Sequence, residues 1–514
     1  MDEVTETVVE AAAPAMAATV EATSGWLDAL TAWVGKIDGY VWGVPMMSII
    51  LFTGLLLTVM LGIRHLLNLK RAFYYMFTKS DGEGEVSSFG SLCTALSATI
   101  GTGNIVGVAT AIGTGGPGAL FWMEVAAFFG MATKYAEGLL AVKYREVGDD
   151  GRVLGGPFYY IEKGLGKGWK WLAVAFAIFG AVAGLMGIGT ITQVQGITSA
   201  IQRVFDTGFN PADPSTGLSL FGGVYSKSVV IGGAVVTILT ALVLIGGLKR
   251  IASVATIVVP FMAVFYVLTC ALLIGCNFEN IPHAIQLIFQ GAFKPSAVTG
   301  GVVGTVFIAM QKGIARGIFS NEAGLGSAPI AAAAAKTKEP VQQGLICMTG
   351  TFIDTIVICT MTGLAIVSTG SWDPELGLKG VDITINAFST GLPFSPVVSS
   401  YFLMISLAFF AFTTILGWDY YSEKCVEYLV GPEKRKVVYT YRLLWVLAVF
   451  IGPYLTVNVV WDTADVFNGL MAFPNLVALI LLSPVVAKCT TDYFRRLRKG
   501  EIPNGTPMYK RRAA

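Results

Sequence analysis

The residues best placed to do chemistry lie in one glycine-rich run, Ser97 to Gly107, inside a segment that is otherwise apolar enough to span a bilayer. Each glycine costs about 1 kcal/mol of helix propensity relative to alanine, so a regular helix is disfavoured there. An unwound turn frees N–H and C=O groups, which membranes tolerate only beside a cavity or a ligand. Close helix packing accounts for Gly103 and Gly107, but not for Thr102 and Asn104 at the same depth. The run therefore predicts a discontinuous helix that lines a binding site.

A second polar interruption, residues 310–317, lies in the later apolar segment 298–324. Its sequence is MQKGIARG. A kink at Gly313 is the simpler explanation, but each interruption falls in the first of five spans in its half of the chain. Two broken helices at corresponding positions are typical of transporters built from inverted repeats, with the site at mid-membrane depth. We expect the second helix to be unwound across 308–317.

Charged side chains inside apolar segments need partners or water. Paired structural charges or gates are the favoured interpretation, with Arg316 opposite Glu322 or Lys134 opposite Asp354, and a proton relay is the alternative. Neither of the two histidines lies in a motif with a nucleophile, so the sequence predicts that the protein is not an enzyme. The intramembrane charges are Glu124, Lys134, Glu137, Lys312, Arg316, Glu322, Asp354 and Asp419.

Composition identifies a polytopic membrane protein. Of 514 residues, 54% are hydrophobic and 13% are charged, whereas soluble domains are roughly 25% charged. The net charge of +2 and the absence of a basic domain make nucleic acid an unexpected partner. The seven cysteines are scattered without paired spacing, so neither disulfides nor a metal site of cysteine and histidine is expected.

Apolar segments of sufficient length predict eleven transmembrane helices. Residues 25–40 are an amphipathic lead-in, and two outer loops carry amphipathic segments at 281–292 and 381–391. Lys and Arg concentrate in the loops after spans one, three, five, seven and nine and in the C-terminal tail. This bias predicts an external N-terminus and a cytoplasmic C-terminus. The spans fall near 43–63, 89–113, 118–143, 170–203, 228–247, 251–275, 298–324, 341–369, 394–428, 437–457 and 464–487.

An ordered series of motifs, from about residue 40 to 490, resembles the alanine or glycine:cation symporter family. The resemblance implies an all-α, LeuT-like fold with a 5+5 inverted repeat and one extra N-terminal transmembrane helix. It also implies uptake of small neutral amino acids coupled to sodium or, less often, to protons. The motifs are GTGNIVGVATAI, GGPGALFWM, GMATKYAEGLLAVKYRE, GGPFYYIEKGLG, GIARGIFSNEAGLGSAP, FIDTIVICT and FTTILGWDYYSEK.

An amino-acid substrate needs donors for its carboxylate and acceptors for its ammonium group. The N–H groups of Thr102, Gly103 and Asn104 suit the carboxylate, because they stand at the start of a half-helix. Freed carbonyls at the second break are the natural acceptors for the ammonium group. The residues predicted to provide them are Ile308, Ala309 and Gln311.

The resemblance adds two side chains to the substrate site. It implies a ligand contact for Gln193, with a weaker claim for Gln195, although an amide in a membrane helix also bonds helices together. It implies that Trp418 is a pocket wall that limits the substrate side chain. The commoner role for such a tryptophan is an interfacial anchor.

Hard oxygen ligands are expected for the coupling cation. The adjacent hydroxyls of Thr413 and Thr414, with a carbonyl near Phe410, provide such a set on one helix. Freed carbonyls of Ser97 and Ile100 on the first broken helix complete the predicted site, and the resemblance to LeuT-like sodium sites supports this pairing of helices. Without the resemblance, adjacent membrane threonines more often bond back to their own backbone. The predicted gate or coupling residues are Arg316, Glu322 and Asp354, and LeuT-like folds place the helix of Asp354 beside the breaks.

The sequence thus predicts a secondary active symporter of a prokaryotic inner membrane that imports alanine or glycine with sodium by alternating access, without a further cofactor. Proton coupling or exchange is the nearest alternative, a channel is a more distant one, and the oligomeric state is left open. The predicted divisions are an external tail and lead-in (1–40), an extra helix (41–66), two repeats of five helices (88–277 and 278–488) and a basic cytoplasmic tail (489–514).

Overall fold

The computed structural model describes residues 29–78, 82–148, 151–220, 223–293, 304–455 and 458–502. Within these ranges the chain is almost wholly helical. Most of the acidic N-terminal tail, the beginning of the predicted span 298–324 and the end of the basic C-terminal tail lie outside the described residues.

The first half of the chain begins with two consecutive helices that meet at Trp42 and Gly43, as the lead-in and first span predict. A π-helical turn, Gly103–Gly107, precedes α6, and a second one, Gly184–Ile188, follows α9. Two hairpins of two and three residues per strand lie in the loops, with Glu146 paired to Leu154 and Leu218 to Tyr225. The helices are α1 (29–41), α2 (Val44–Leu61), α3 (Arg64–Leu67), α4 (Leu69–Met76), α5 (Ser88–Thr99), α6 (Val108–Gly115), α7 (Gly118–Lys143), α8 (Pro157–Leu165), α9 (Lys170–Ala183), α10 (Ile191–Phe205), α11 (Lys227–Leu244) and α12 (Gly247–Cys276), and the strands are β1 (Glu146–Val147), β2 (Val153–Leu154), β3 (Leu218–Leu220) and β4 (Gly223–Tyr225).

The second half contains the corresponding spans and two helices in loops. The two loop helices, α13 and α18, coincide with the predicted amphipathic segments. A π-helical stretch, Phe352–Cys359, joins α16 to α17. The helices are α13 (Ile281–Phe293), α14 (Gly304–Asn321), α15 (Ala328–Ala333), α16 (Pro340–Thr351), α17 (Thr360–Ser368), α18 (Val381–Gly391), α19 (Pro396–Val430), α20 (Arg435–Ile451) and α21 (Asn458–Arg498).

Burial separates the centre of the bundle from its lipid-facing surface. The most apolar window of α7 is 83% buried, whereas that of α11 is 28% buried and that of α12 is 33% buried. The outer helices expose large apolar side chains such as Ile231, Ile257 and Leu268, which suit contact with lipid. The broken helices α5 and α6 lie at the buried centre.

The predicted count of eleven spans is not confirmed. Nine helices in the described ranges are long and apolar enough to cross a membrane, and the bent pair α5 and α6 makes ten. The further predicted span, 298–324, coincides with α14 alone and ends before α15 begins. It is shortened by a break and carries Gln311, Lys312 and Arg316 within its helical part.

The first predicted break is present where the glycine-rich run lies. Helix α5 ends at Thr99 and regular structure resumes at Gly103, with a bend of 51° between the two parts. Ile100 is extended, with φ −75° and ψ 95°. Residues 100–102 therefore leave the regular α-helical ladder in the middle of a buried segment.

The second break exists, but its predicted position was wrong. Helix α14 runs without interruption through 308–317 and ends at Asn321. The chain then unwinds until α15 begins at Ala328, with positive φ at Glu322, Gly324 and Gly326. Because they lie inside a continuous helix, the three residues assigned to the ammonium group do not have freed carbonyls. They are Ile308, Ala309 and Gln311.

Packing and a polar face explain the composition of 310–317. A Cβ atom on Gly313 would lie 2.1 Å from the carbonyl oxygen of Ala119 in α7, so this glycine permits close helix contact. Lys312 and Arg316 line a chamber of about 110 Å³ that also contains Asp465. Residues 310–317 therefore form part of an intact helix, with small residues on the face that packs against α7 and polar residues on another face.

Replacement of Gly313 by valine tests this packing. We expect Gly313→Val to push α14 away from α7 and to lower the free energy of unfolding by about 1–3 kcal/mol, as overpacking commonly does. Thermal unfolding of the detergent-solubilised protein measures the effect. Gly275→Ala is the control, because a Cβ atom there meets nothing within 4 Å; equal stability of both variants would contradict the packing role.

Candidate functional site

A cavity of about 430 Å³ lies beside the first break. Its wall includes Thr102 and Gly103, two of the predicted substrate ligands. The surrounding residues come from helices that converge on the break. They include Val106, Gln195, Arg203, Arg316, Phe319, Val381 and Leu407. The cavity wall thus combines residues of the break, two arginines and apolar side chains.

Backbone donors at the break are only loosely held. The Thr102 N–H donates to Gln193 Oε1 at 3.4 Å, and the Asn104 N–H donates to the carbonyl of Gly101 at 3.3 Å. These are long for N–H···O bonds, which favour about 2.9–3.0 Å. Gly103 lies between them in the cavity wall. The positive end of the following helix and these N–H groups, which donate hydrogen bonds, can together bind a carboxylate.

Two glycines permit this geometry. A Cβ atom on Gly101 would lie 2.5 Å from Thr414 Oγ1, and one on Gly103 would lie 3.2 Å from Phe319 and 3.3 Å from the Cα of Ser320. Gly101 therefore lets α19 approach the first break, and Gly103 lets α14 approach it. Any side chain at Gly101 would separate the residues predicted to bind the cation.

Asn104 holds the break together through its side chain. Its Oδ1 accepts the Gly101 N–H at 2.9 Å, and its Nδ2 donates to Asp354 Oδ1 at 2.8 Å and to the Asp354 carbonyl at 3.1 Å. Asp354 Oδ2 in turn accepts from Ser320 at 2.8 Å and from Thr355 at 2.8 Å. All of these residues are buried. Asp354 therefore connects the first break to the end of α14, close to the second break.

The two predicted glutamines differ in their position relative to the cavity. Gln193, the favoured candidate, supports the break, because its Nε2 donates to the Ile188 carbonyl at 2.9 Å while its Oε1 faces Thr102. Gln195, the weaker candidate, lines the cavity and donates to the Gly452 carbonyl at 3.2 Å. The two glutamines are two positions apart on one helix, so they point to different faces. The sequence alone does not show which of these faces meets the cavity.

Oxygen atoms gather where the cation site is predicted. Thr414 Oγ1 lies 3.3 Å from the Ile100 carbonyl and 3.0 Å from the Phe410 carbonyl, and Thr413 Oγ1 lies 3.0 Å from the same Phe410 oxygen. A hydroxyl that donates its proton to a carbonyl still presents lone pairs. Three of the four predicted ligand residues thus have oxygen atoms close together, and hard oxygen ligands suit sodium. They are Ile100, Thr413 and Thr414.

Ser97 lies one turn before Ile100. Its hydroxyl donates to the Thr94 carbonyl at 2.7 Å. A Cβ atom on Gly417 of α19 would lie 2.8 Å from Ser97 Oγ, so this residue also faces the helix that carries the threonines. The structure therefore brings all four predicted cation residues to the contact between α5 and α19.

Trp418 belongs to the second break. Its Nε1 donates to Glu322 Oε1 at 2.8 Å, and the other oxygen of Glu322 accepts from Ser327 at 2.5 Å. The indole is buried and is not part of the wall of the 430 Å³ cavity. Glu322, whose φ is 57°, is thus held at both ends in an unusual backbone conformation.

The predicted ion pairs were wrong. Arg316 lies 3.8 Å from Asp465 of α21 and over the ring of Phe319, and Glu322 takes the partners just described. Asp354 is held by neutral donors, without an ion pair to Lys134. Lys134 is buried and acts electrostatically on three carboxylates, so it is not paired with any single one of them. The three carboxylates are those of Glu137, Glu322 and Asp354.

Further contacts were missed by sequence reasoning because they join distant segments. Asn475 and Glu137 hold the second break, since Asn475 Nδ2 donates to the Gly324 carbonyl at 2.9 Å and to Glu137 Oε1 at 2.7 Å. The Gly324 N–H donates to the same Glu137 oxygen at 3.1 Å. Arg203 of α10 contacts Asp382 of α18 at the rim of the cavity.

On the opposite side of the breaks, a single arginine joins the ends of both broken helices. Arg145 donates to the carbonyls of Ala333 and Ala335 at 2.6 Å, of Glu83 at 2.6 Å and of Thr337 at 2.9 Å. Residues 85 and 86 also bond to the Ala334 carbonyl, and Lys336 bonds back to Val86. The chain before α5 and the chain after α15 are therefore fastened together.

The arrangement of helices defines the class of protein. The solved structure of MhsT in complex with L-phenylalanine covers 80% of this chain and 99% of that chain, with a TM-score of 0.52 at 14% sequence identity. This likeness shows a membrane protein of LeuT-like fold, a class in which broken helices at the centre of the bundle line the binding site.

The family follows from sequence comparison. The model of the sodium:alanine symporter family matches residues 27–506. The sodium/alanine symporter AgcS of Methanococcus maripaludis is 46% identical over 92% of this chain and 98% of AgcS. The putative sodium/proton-dependent alanine carrier protein YrbD of Bacillus subtilis is 36% identical over 92% of this chain and 94% of YrbD. The chain belongs to the sodium:alanine symporter family and is a secondary active symporter.

Removal of the Asn104 side chain tests how the first break is held. Asn104→Ala removes the acceptor of the Gly101 N–H and the donor to Asp354 Oδ1, and each buried unsatisfied group costs about 1–3 kcal/mol. We expect the initial rate of substrate uptake, normalised to protein in the membrane, to fall at least about tenfold. Thr114→Ala is the control, because Thr114 is an exposed residue of the same segment. Unchanged uptake by Asn104→Ala would show that the break keeps its shape without this side chain.

Proposed function

We propose that this protein couples sodium influx to the uptake of small neutral amino acids, with alanine and glycine as substrates. The single observation that carries the proposal is that the first break faces both α19 and the cavity. The Ile100 carbonyl accepts from the Thr414 hydroxyl of α19, while Thr102 and Gly103, two and three residues further on, line the cavity. AgcS and YrbD, by their names, act on alanine, which supports the substrate class.

In this proposal, the substrate carboxylate meets the N–H groups at Thr102 and Gly103. Arg203 and Arg316 in the same cavity wall draw carboxylates towards the break. Since Ile308, Ala309 and Gln311 have no freed carbonyls, the ammonium group takes its acceptors from the unwound residues of the breaks instead. The close approach of Phe319 and Ser320 to Gly103 leaves room only for a small side chain.

Sodium is the coupling ion in this proposal. Its ligands are the Ile100 carbonyl and the hydroxyls of Thr413 and Thr414, with Ser97 contributing from one turn below. Bound sodium fixes the unwound residues 100–102, so the N–H groups that follow are already ordered when the substrate arrives. Coupling is thus a property of three consecutive peptide groups.

The proposed setting is the inner membrane of a prokaryotic cell, with the N-terminus outside and the C-terminus in the cytoplasm. The distribution of Lys and Arg among the loops supports this orientation. In this orientation the 430 Å³ cavity opens to the outside, and the segments fastened by Arg145 close the cytoplasmic side. The proposal retains the two repeats at 88–277 and 278–488.

Reconstituted protein separates sodium coupling from its alternatives. Labelled alanine is offered to proteoliposomes under an inward sodium gradient, an inward proton gradient or neither. We expect accumulation above equilibrium only with sodium. Accumulation driven by protons alone would favour a proton-coupled symporter, counterflow without either gradient would favour an exchanger, and uptake that neither saturates nor accumulates would favour a channel.

Thr414 offers the sharpest test of the cation site. Thr414→Ala removes one oxygen ligand, and we expect the sodium concentration for half-maximal uptake to rise about tenfold, which corresponds to about 1.4 kcal/mol. Thr414→Ser keeps the hydroxyl and should stay near the original value. Thr440→Ala, at an exposed position on α20, controls for unspecific effects. The same sodium dependence in Thr414→Ala and in the unaltered protein would remove Thr414 from the site.

A further inference from the structure

One buried carboxylate takes no part in the sites described above. Asp419 lies in the middle of α19 with an exposed fraction of 0%. Neither of its oxygens has a hydrogen-bond partner among the described residues. An ionised carboxylate without a donor is costly at this depth, so the packing around Asp419 favours the neutral acid.

The neighbours of Asp419 come from three elements. The charged and titratable groups that face it are Glu423 on its own helix and Tyr441 and Arg442 on α20. Tyr441 donates its hydroxyl to the Ala181 carbonyl at 2.7 Å. The π-helical turn Gly184–Ile188, which packs against α19 at Ser422, has no titratable side chain. Arg442 is therefore the one cation that faces this carboxylate among the described residues.

Arg442 is already committed to another carboxylate. Its guanidinium makes two contacts with Glu423, with Nη2 at 2.8 Å from Oε2. Helices α19 and α20 are antiparallel neighbours. One turn before Glu423 on α19 is Asp419, and one turn after Arg442 on α20 is Trp445, so these two residues lie at a similar depth. The indole Nε1 of Trp445 is also buried without a partner in the described part of the chain. Asp419 and Trp445 thus each lie about one helical turn behind the ion pair, and both are buried.

A cavity at the C-terminal end of α19 extends to the Glu423–Arg442 ion pair. It has a volume of about 260 Å³, and both Glu423 and Arg442 line it, together with the beginning of α12. The proposed topology places this cavity on the cytoplasmic side. Tyr420, the residue after Asp419, also lines this cavity, and Glu423 in its wall lies one turn after Asp419 on α19.

We propose that Asp419 is a proton-binding site that exchanges protons with the cytoplasm through the Glu423–Arg442 pair. A proton moves between the Asp419 carboxylate and water in the cavity, and no other bond changes. The inference rests on the proposed function, because it links this site to the transport cycle. It adds a control by internal pH to the sodium-driven cycle.

The direction of this control follows from the packing. The neutral acid fits the closed arrangement, whereas the carboxylate fits an arrangement in which Arg442 or cavity water reaches Asp419. Acid inside therefore stabilises the closed packing, and alkaline inside stabilises the hydrated one. Since cytoplasmic opening must loosen this region to release substrate, acidification of the inside should slow turnover.

Uptake into proteoliposomes with a fixed outside pH and a variable inside pH tests the proposal. Under a constant sodium gradient, we expect alanine uptake to fall at least about threefold as the inside is acidified from about pH 8 to about pH 6. Asp419→Asn mimics the neutral acid and should make uptake independent of inside pH. Glu433→Gln is the matched control, because Glu433 is an exposed carboxylate on the loop after α19, and it should keep the original pH dependence.

Infrared spectroscopy keeps the test decisive if Asp419→Asn loses transport. The carbonyl stretch of a protonated carboxylic acid should be present in the unaltered protein at neutral pH and reduced in Asp419→Asn. An unchanged band, or a pH profile in Asp419→Asn equal to that of the unaltered protein, overturns the proton site. Absence of sodium-driven alanine uptake in the unaltered protein would instead overturn the proposed function, so the two failures are distinguishable.

Discussion

The structure depends on one constraint, which is that a peptide group at membrane depth must find a partner when the helix around it unwinds. At the first break, the Gly101 N–H bonds to the side chain of Asn104, and the Ile100 carbonyl accepts from Thr414. At the second break, Glu137 and Asn475 take over the backbone groups of Gly324. Each break is thus completed by polar side chains from other helices. These side chains are what converts two flexible interruptions into one ordered site.

The same constraint explains which parts of the site could be predicted. The first break is visible in the sequence because glycine, threonine and asparagine are concentrated in an apolar segment, and local composition is sufficient to locate it. The second break lies at Glu322, Gly324 and Gly326, whose backbone is left-handed. In the sequence, this stretch is no more conspicuous than the earlier MQKGIARG run. Glycine in that run has the different task of helix packing. Composition does not distinguish a glycine that unwinds a helix from one that brings two helices together.

Side-chain partners were harder to predict than helices. Hydropathy locates most spans, since their length and apolarity are local properties. The partners of Arg316, Glu322 and Asp354 come from other helices, and charge alone pairs them incorrectly. Asp354 is bound by hydroxyl and amide donors, which balance a buried carboxylate without an opposite charge. An ion pair is therefore only one of several ways to satisfy a charge in a membrane segment.

The fastening of the broken helices limits how the bundle can move. The chain before α5 and the chain after α15 share main-chain hydrogen bonds, and Arg145 bonds to both. On the other side of the breaks, Asp354 joins Asn104 of the first break to Ser320 of α14. The two broken helices are thus connected on both sides of the site. Helix α19 meets the first broken helix closely at Gly417 and through the bond from Thr414 to the Ile100 carbonyl, and the predicted sodium ligands lie in that contact. A bound cation there would therefore act on the contact between the broken helices and α19.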